Sequence, residues 1–352
     1  MSAMTVRGAG DGRPIALVIN TGEAIGDALT RIPCYRALRR AFPDHRIVDL
    51  CRHASSFLEP LRAIAAELVD EVRCGQPLNR GVLQLRRLIQ AIGNVEVIVD
   101  LRSNLGALCT YIATLGLPVR YVANVALFGL RRGVPLMPER RPEANSRRFH
   151  RLAELLAGRS LPFEPLVEVH AEARQRAAAL VPHGTRFVVL APGGSASGKA
   201  WPAPNWARLA ASLHHRAILP VFLLGPLETL EAQWIRRDLP DAMIIDVAAT
   251  DEAHELPWLF HALADRALGA VAVEGGIGHL LASRGRPLLT ISGPTNARRW
   301  RPVTPFHWSI AARDFGSRRT ADVPYEAVRS ATDEMIRAAE AFHSQPGPTS
   351  PP

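Results

Sequence analysis

The sequence is almost devoid of lysine. Lys199 is the single lysine among 42 basic residues, which leaves 41 arginines (42 less one). Three further scarcities narrow the class of protein. Cysteine occurs only at Cys34, Cys51, Cys74 and Cys109, with no C-x-x-C pair and no accompanying histidine cluster; buried free thiols in a reducing cytoplasm fit this better than a metal module or a disulfide scaffold. Aromatic residues make up 6% of the chain and do not interleave with the basic ones. The formal charge of +9 and pI near 10.3 therefore point away from nucleic acid and toward phosphorylated substrates or an anionic membrane surface. No apolar run approaches the roughly 18 residues of a transmembrane helix, and the N-terminal MSAMTVRGAGDGRPIALVIN lacks the apolar core of a signal peptide.

The solitary lysine has two readings. It is a chance survivor of a drift to arginine, or it stands where a compact ammonium is needed and a guanidinium fork does not fit.

What is present is a regular alternation of strands and helices. With 352 residues, 47% of them hydrophobic, the chain is long enough for two domains with separate cores. Apolar β-rich runs at 15–21, 46–52, 95–104 and 117–124 alternate with helical patterns such as 27–42. The alternation weakens across 125–180 and restarts with strands at 186–194, 219–226, 242–248, 267–276 and 286–294. Helices are predicted at 172–184, 205–216, 255–266 and 325–342. Such βαβ units imply parallel sheets covered by helices. The chain therefore reads as α/β, with doubly wound domains over 1–175 and 176–320, a terminal helix over 321–343, and a Ser/Pro tail over 344–352 expected to be disordered. Ligands of open α/β sheets sit at the carboxyl ends of strands, so a cleft between two such domains is the default site.

Three segments could carry chemistry. In TGEAIGDAL (21–29) glycines bracket a strand-to-helix turn, and Asp27 follows; it is either a helix-start carboxylate suited to the positive helix end or a general base at a strand edge. In APGGSASGKAWP (191–202), Gly193, Gly194 and Ser195 precede Lys199. Glycine amides, small hydroxyls and an ammonium together suit a phosphate, although Ala200 after the lysine excludes a Walker loop; the other reading is a surface loop. In VEGGIGHLLASRGRPLLTISGPTN (273–296), Glu274, Gly275 and Gly276 lead into a helix near His279; this is an anion site at a helix start or a tight packed connection, and His279 alone reads as a packed residue.

Taken together, these segments resemble glycosyltransferase family 9, the heptosyltransferases of lipopolysaccharide core assembly. AIGDALTRIPCYRALRRAFPDHRI is similar to that family's S-x-x-G-D loop and Pro-containing helix. VIVDLRSNLGAL resembles its V-I-D-L strand, LAPGGSASGKAWPAPNWARLA its K-x-W-P segment, and EGGIGHLLASRGRPLLTISGPT its D-T-G-x-x-H-L-A-A and G-P-T signature. The matches occur in order over about 15 to 302.

The resemblance implies a GT-B fold, two Rossmann-like domains facing across a cleft, and an inverting transfer without metal or other cofactor. The expected donor is a nucleotide sugar, ADP-heptose by family, and the acceptor a glycan or glycolipid. It implies Asp27 as catalytic base and Lys199 as the cation on the donor diphosphate. Gly193, Gly194, Ser195, Glu274, Gly275, Gly276 and His279 would lie around the diphosphate and sugar, and Glu228 at the nucleoside. Arg102 and Asn104 are acceptor-side candidates. The arginine-rich stretch 131–151 is either an anionic-acceptor contact or a solvated face. A cytoplasmic protein is expected, peripheral at the inner membrane, with no nucleic-acid partner. Two departures fall on the sugar site: Glu274 replaces the usual Asp and Gly275 the usual Thr. A sugar-nucleotide epimerase of the same fold, or a non-catalytic sugar-nucleotide-binding module, are the competing readings.

Overall fold

A computed structural model describes residues 3–5, 12–135, 141–194, 198–246 and 255–343. The predicted tail at 344–352, Ser195, and Arg140 of the arginine-rich stretch lie outside the described residues. The chain divides into two units, Met1–Pro165 and Leu166–Pro352, ten residues before the change of domain predicted at 175/176.

In the first unit the β-rich runs become parallel strands. These are β2 (Ile15–Asn20), β3 (Arg46–Cys51), β4 (Glu71–Arg73), β5 (Val95–Asp100) and β6 (Arg120–Ala123). A short β1 (Ala3–Thr5) and β7 (Arg131–Arg132) pair antiparallel at the two edges. The sheet order is β1-β4-β3-β2-β5-β6-β7. Apolar residues on consecutive positions of β2, such as Leu17, Val18 and Ile19, are all buried, because helices cover both faces of a parallel sheet.

Helices α1 (Ile25–Ala41), α2 (Arg62–Leu68), α3 (Val82–Ile92), α4 (Leu105–Ala113) and α5 (Asn145–Ala157) complete the unit. α1 packs against α5, and α3 against α4. The core beneath α3 and α4 joins Leu85, Ile89 and Ala107 to Ile19, Leu50 and Ile98 of the strands. Each such fully buried aliphatic side chain contributes about 1.5–3 kcal/mol.

The second unit repeats the plan with β8 (Phe187–Ala191), β9 (Leu219–Leu224), β10 (Met243–Asp246), β11 (Gly269–Val273), β12 (Leu288–Ser292) and β13 (His307–Ala311). Its order is β10-β9-β8-β11-β12-β13, and every pairing is parallel. The helices are α6 (Ala171–Leu180), α7 (Ala203–His214), α8 (Thr229–Asp238), α9 (Leu256–Arg266), α10 (Gly276–Ala282) and the terminal α11 (Tyr325–His343). Trp206, Leu209 and Leu213 of α7, Ile235 of α8 and Met335 of α11 close one core over the sheet. α6 packs on α9, which is why the segment at 171–180 belongs with this unit.

Counted from β2, with the edge strand β1 set aside, the first sheet has the same order as the second: the third, second and first strands of the series, then the fourth, fifth and sixth. The direction of winding reverses between β2 and β5 in the first unit and between β8 and β11 in the second, although each of these pairs is parallel. Each such reversal opens a crevice at the carboxyl ends of the two strands, where open α/β sheets bind ligands. The segments singled out from sequence leave these strands.

Candidate functional site

In the first unit β2 delivers the chain into the loop that carries Asp27. Gly22 has φ +94°, and a Cβ there would come within 2.6 Å of the Ala54 carbonyl, so only glycine turns here without moving the neighbouring loop. The Gly22 amide donates to Asn20 Oδ1 at 2.6 Å, and Asn20 Nδ2 donates to Asp49 Oδ1 at 2.6 Å. The Glu23 amide donates to the Ala54 carbonyl at 3.0 Å. Asp27, half-buried, lies in the first turn of α1, where a carboxylate meets the positive end of the helix.

One residue of this loop escaped the sequence reading. Glu23 is buried, forms an ion pair with Arg31 and accepts from the Ser55 hydroxyl. The S-x-x-G-D spacing places Glu23 at the position of the family serine. Its role needed the β3-side loop to be seen, because Ser55 is 32 residues away. Asp49 lies behind it, pushed up to about 7 by burial and then by the charge of Glu23.

Glu23, Asp49 and Cys51 are close enough to share a metal ion. Their atoms are already engaged: Arg31 and Ser55 on Glu23, Asn20 and the Cys51 thiol on Asp49. The group is a hydrogen-bonded clamp under the Asp27 loop. All four cysteines are free thiols.

After β5 come the two acceptor-side candidates. Arg102 is buried and its guanidinium is spent internally: Nε and Nη2 bind the Asp100 carboxylate at 2.8 and 2.6 Å, Nη1 the Leu78 carbonyl at 3.2 Å, and Nη2 also Thr110 Oγ1 at 2.6 Å. Arg102 thus braces the end of β5 against α4 and the loop before α3 rather than offering donors outward. Asn104 is exposed and caps α4, its side-chain oxygen accepting from the Gly106 amide at 3.0 Å.

In the second unit the glycine turns and the lysine do come together. β8 runs through Pro192 into Gly193 and Gly194. A Cβ on Gly194 would lie 2.8 Å from Lys199 Cβ, so this glycine gives the lysine stem its path. A Cβ on Gly193 would collide with the Glu228 side chain, which folds over it from the start of α8. Glu228 Oε2 is buried without a hydrogen-bond partner among the described residues, and burial, then Glu231, raises its pKa. Lys199 Nζ lies 3.9 Å from Glu274 Oε1, and both side chains are largely buried.

Glu274, at the end of β11, accepts from the Thr295 hydroxyl of the SGPTN turn, while its Oε1 has no hydrogen-bond partner among the described residues. Gly275 is extended (φ 178°), and a Cβ there would meet the Gly193 carbonyl at an ordinary 3.6 Å. Gly276 opens α10. Burial and the Lys199 ammonium lower His279 to about 4, so it is neutral near pH 7.

The Trp-Pro after the lysine has a structural task. Trp201 Nε1 donates to the Val323 carbonyl at 2.9 Å, and the Thr320 amide donates to the Gly198 carbonyl at 3.0 Å. The chain is thereby fastened on either side of Lys199. A buried ammonium beside an unsatisfied carboxylate oxygen, with glycine backbone on two sides, is an arrangement suited to an incoming anion and to hydroxyl donors.

A family model described as "Glycosyltransferase family 9 (heptosyltransferase)" matches residues 123–319, more than half of the chain. The chain belongs to glycosyltransferase family 9. It is accordingly a glycosyltransferase. Among solved structures, a family 9 glycosyl transferase from Veillonella parvula is 16% identical, with a TM-score of 0.67 over 94% of this chain and 99% of that one. An E. coli ADP-heptose lps heptosyltransferase II is 15% identical, with a TM-score of 0.65 over 92% and 99%. E. coli heptosyltransferase WaaC with ADP is 16% identical, with a TM-score of 0.61 over 92% and 99%. At these identities the likeness shows the fold, which is of the GT-B type. No curated protein matches in sequence. Among the described residues of this family 9 member, no helix is long and apolar enough to cross a membrane.

Proposed function

We propose that the protein transfers a sugar, heptose from ADP-heptose, to a hydroxyl of a glycan or glycolipid acceptor such as lipopolysaccharide core, by single displacement with inversion. The observation that carries this reading is the placement of the only lysine 3.9 Å from Glu274, at the carboxyl ends of the two strands where the second sheet reverses. Lys199 neutralises the donor diphosphate. Glu274, held by Thr295, accepts from sugar hydroxyls, and Glu228 accepts from the nucleoside hydroxyls with its unsatisfied oxygen.

In the reaction the acceptor oxygen forms its bond to the anomeric carbon from the face opposite the diphosphate. The carbon–oxygen bond to the diphosphate breaks, the nucleoside diphosphate leaves with that electron pair, and Asp27 takes the acceptor proton. Charge growing on the leaving oxygen is met by the Lys199 ammonium, already in place and partly desolvated. Asn104 remains an acceptor-side contact at the first unit's strand edge, with Arg102 bracing the turn that carries it. The longer Glu274 reaches further into the sugar site than an aspartate, while Gly275 leaves room for it.

A thermal-shift series with ADP, UDP, GDP and ADP-heptose tests the donor. The ADP compounds should raise the melting temperature by mass action, and a shift with UDP alone would reject the adenine assignment. Incubation with the sugar nucleotide and no acceptor should leave the sugar unchanged; an epimerised sugar would overturn transfer as the activity.

A further inference from the structure

Two of the four free thiols stand side by side, and the transfer reaction uses neither. Cys51 ends β3, and Cys74 directly follows β4. The two strands are parallel neighbours with Leu50 opposite Arg73, so Cys51 and Cys74 are the next residues along each. Adjacent strands lie about 4.8 Å apart, inside the range of about 4.4–6.8 Å that separates the Cα atoms of a disulfide. Strand alternation sends both side chains to the face that carries Asp49. One buried residue holds the pair: the Gln76 amide donates to the Cys51 carbonyl at 3.0 Å, and Gln76 Nε2 donates to the Cys74 carbonyl at 3.0 Å. The two thiols are hydrogen-bond partners.

The pair is chemically unequal. Cys51 is fully buried, and the hydrogen bond with Cys74, followed by burial, raises its thiol. Cys74 reaches the surface with 8% of its area. The hydrogen bond from Cys51, helped by the Ser55 amide, holds Cys74 below the ordinary thiol range. The thiol that ionises more readily and meets solvent is the attacking one. Cys34 differs: it is buried in α1 and pushed up to about 12 by burial.

We propose that Cys74 and Cys51, at the ends of two neighbouring strands, form a dithiol site that a hydroperoxide oxidises to a disulfide. The Cys74 thiolate attacks one peroxide oxygen; the sulfur–oxygen bond forms, the oxygen–oxygen bond breaks, and the alcohol leaves with the Cys74 proton. The Cys51 sulfur then attacks the Cys74 sulfenic acid. The sulfur–sulfur bond forms, and water leaves with the Cys51 proton. Two thiols lose two electrons, and the peroxide gains them. Both cysteines also touch the clamp under the Asp27 loop. The Cys51 thiol donates to Asp49 Oδ2 at 3.4 Å, and Ser55, whose amide meets Cys74, donates its hydroxyl to Glu23. Oxidation takes the Cys51 donor from Asp49, which also holds Asn20, and Asn20 holds the Gly22 amide. The change therefore reaches the turn before Asp27. The proposal goes beyond the donor and acceptor reading and does not depend on it.

Treatment of the full-length wild-type protein with hydrogen peroxide, then alkylation and tryptic mass spectrometry, tests it without need of a variant. Trypsin cuts after Arg46, Arg52, Arg73 and Arg80, so the disulfide joins peptides 47–52 and 74–80. The joined pair should appear, about 2 Da lighter than the two free peptides together, and a dithiol reductant should separate it. Cys51→Ser should leave a sulfenic acid on Cys74 that a cyclic diketone traps. Cys74→Ser should react with peroxide about tenfold more slowly or worse. Amide hydrogen exchange across 20–27 should rise in the oxidised wild type and stay unchanged in peroxide-treated Cys74→Ser. Peroxide that modifies Cys34 or Cys109 before this pair, or that carries Cys74 to the sulfinic acid with no joined peptides, would overturn the proposal. Joined peptides with unchanged exchange across 20–27 would overturn the tie to the Asp27 turn. Absence of any ADP-induced thermal shift would count against the donor reading and leave the dithiol result standing.

Discussion

At the residue scale the central question is what one ammonium does among so many guanidiniums. Lys199 is a point charge on a flexible stem, and the stem passes over Gly194 with no room for a Cβ beneath it. Arginine at this position would bring a planar fork into a space shaped for a compact group. Replacement by alanine should lower kcat by about 10²-fold or more, the scale of one lost electrostatic contact to developing charge; replacement by arginine should recover little of it. A steady-state assay with the matching donor checks both, and near-wild-type turnover of Lys199→Ala would remove the lysine from the mechanism. The same solitude gives a direct probe. Acylation of lysine amines should modify position 199 alone apart from the N-terminus, and a bound nucleoside diphosphate should slow it.

His261 makes a separate, pH-dependent prediction. It is fully buried on α9, both ring nitrogens lack partners among the described residues, and burial followed by the Arg284 charge lowers it to about 3. An unfolded histidine titrates near 6.5. Above that pH both states are neutral and no difference arises. As pH falls below it the unfolded chain takes up a proton that the folded chain refuses, so stability declines from about pH 6.5 toward 3, by about 1.4 kcal/mol per pH unit for one such group. His279 and His307, each lowered to about 4, act in the same direction. Urea melts between pH 7 and 4.5 should show this loss, and His261→Leu should reduce the slope by about one proton; an unchanged slope would show that His261 is not the group titrating.

At the scale of elements, the Asp27 loop is held by its backbone and by a buried clamp. Gly22→Ala forces a side chain into positive φ and onto the Ala54 carbonyl, which should cost at least about 1 kcal/mol. Glu23→Ala strands Arg31 without its partner in a buried position, and removing one member of such a pair costs on the order of 3–5 kcal/mol. Glu23→Gln keeps a hydrogen-bond acceptor for Arg31 and Ser55 and should fold with a smaller loss. Both effects are measurable by chemical denaturation, and a Glu23→Ala protein as stable as wild type would show the clamp to be unimportant.

The same loop shows why sequence reading stopped short. The glycines and Asp27 were visible as a turn with a carboxylate, because glycine spacing is local. Glu23, Arg31 and Ser55 had no shared pattern, because Ser55 arrives from another strand's loop. Elsewhere, the sequence pattern predicts no strand where β13 forms, over His307–Ala311. It is an edge strand in the order and its pattern is half-exposed, so it lacks the continuous apolar run that marked β8 or β11. The strand reading of 95–104 ran on past Asp100, where the chain leaves the sheet.

At the scale of the whole molecule, each unit has its own core, and the lysine site belongs to the second. Calorimetry with saturating ADP should therefore raise the transition of the unit Leu166–Pro352 and leave that of Met1–Pro165 nearly unmoved, by an amount that grows with the logarithm of ligand concentration. An equal shift of both transitions, or a single one, would show that the units unfold as one body.

By itself the sequence determined the alternation of strands and helices, the three glycine turns at strand ends, the carboxylate Asp27 in the first and the lysine in the second. These are local properties: period, turn chemistry and residue type act over a few neighbours. Only the tertiary structure decided that Lys199 meets Glu274, that Glu228 folds over Gly193, and that Arg102 turns inward to Asp100. Those outcomes depend on which strands become neighbours, and strand order is set by burial summed over the whole sheet.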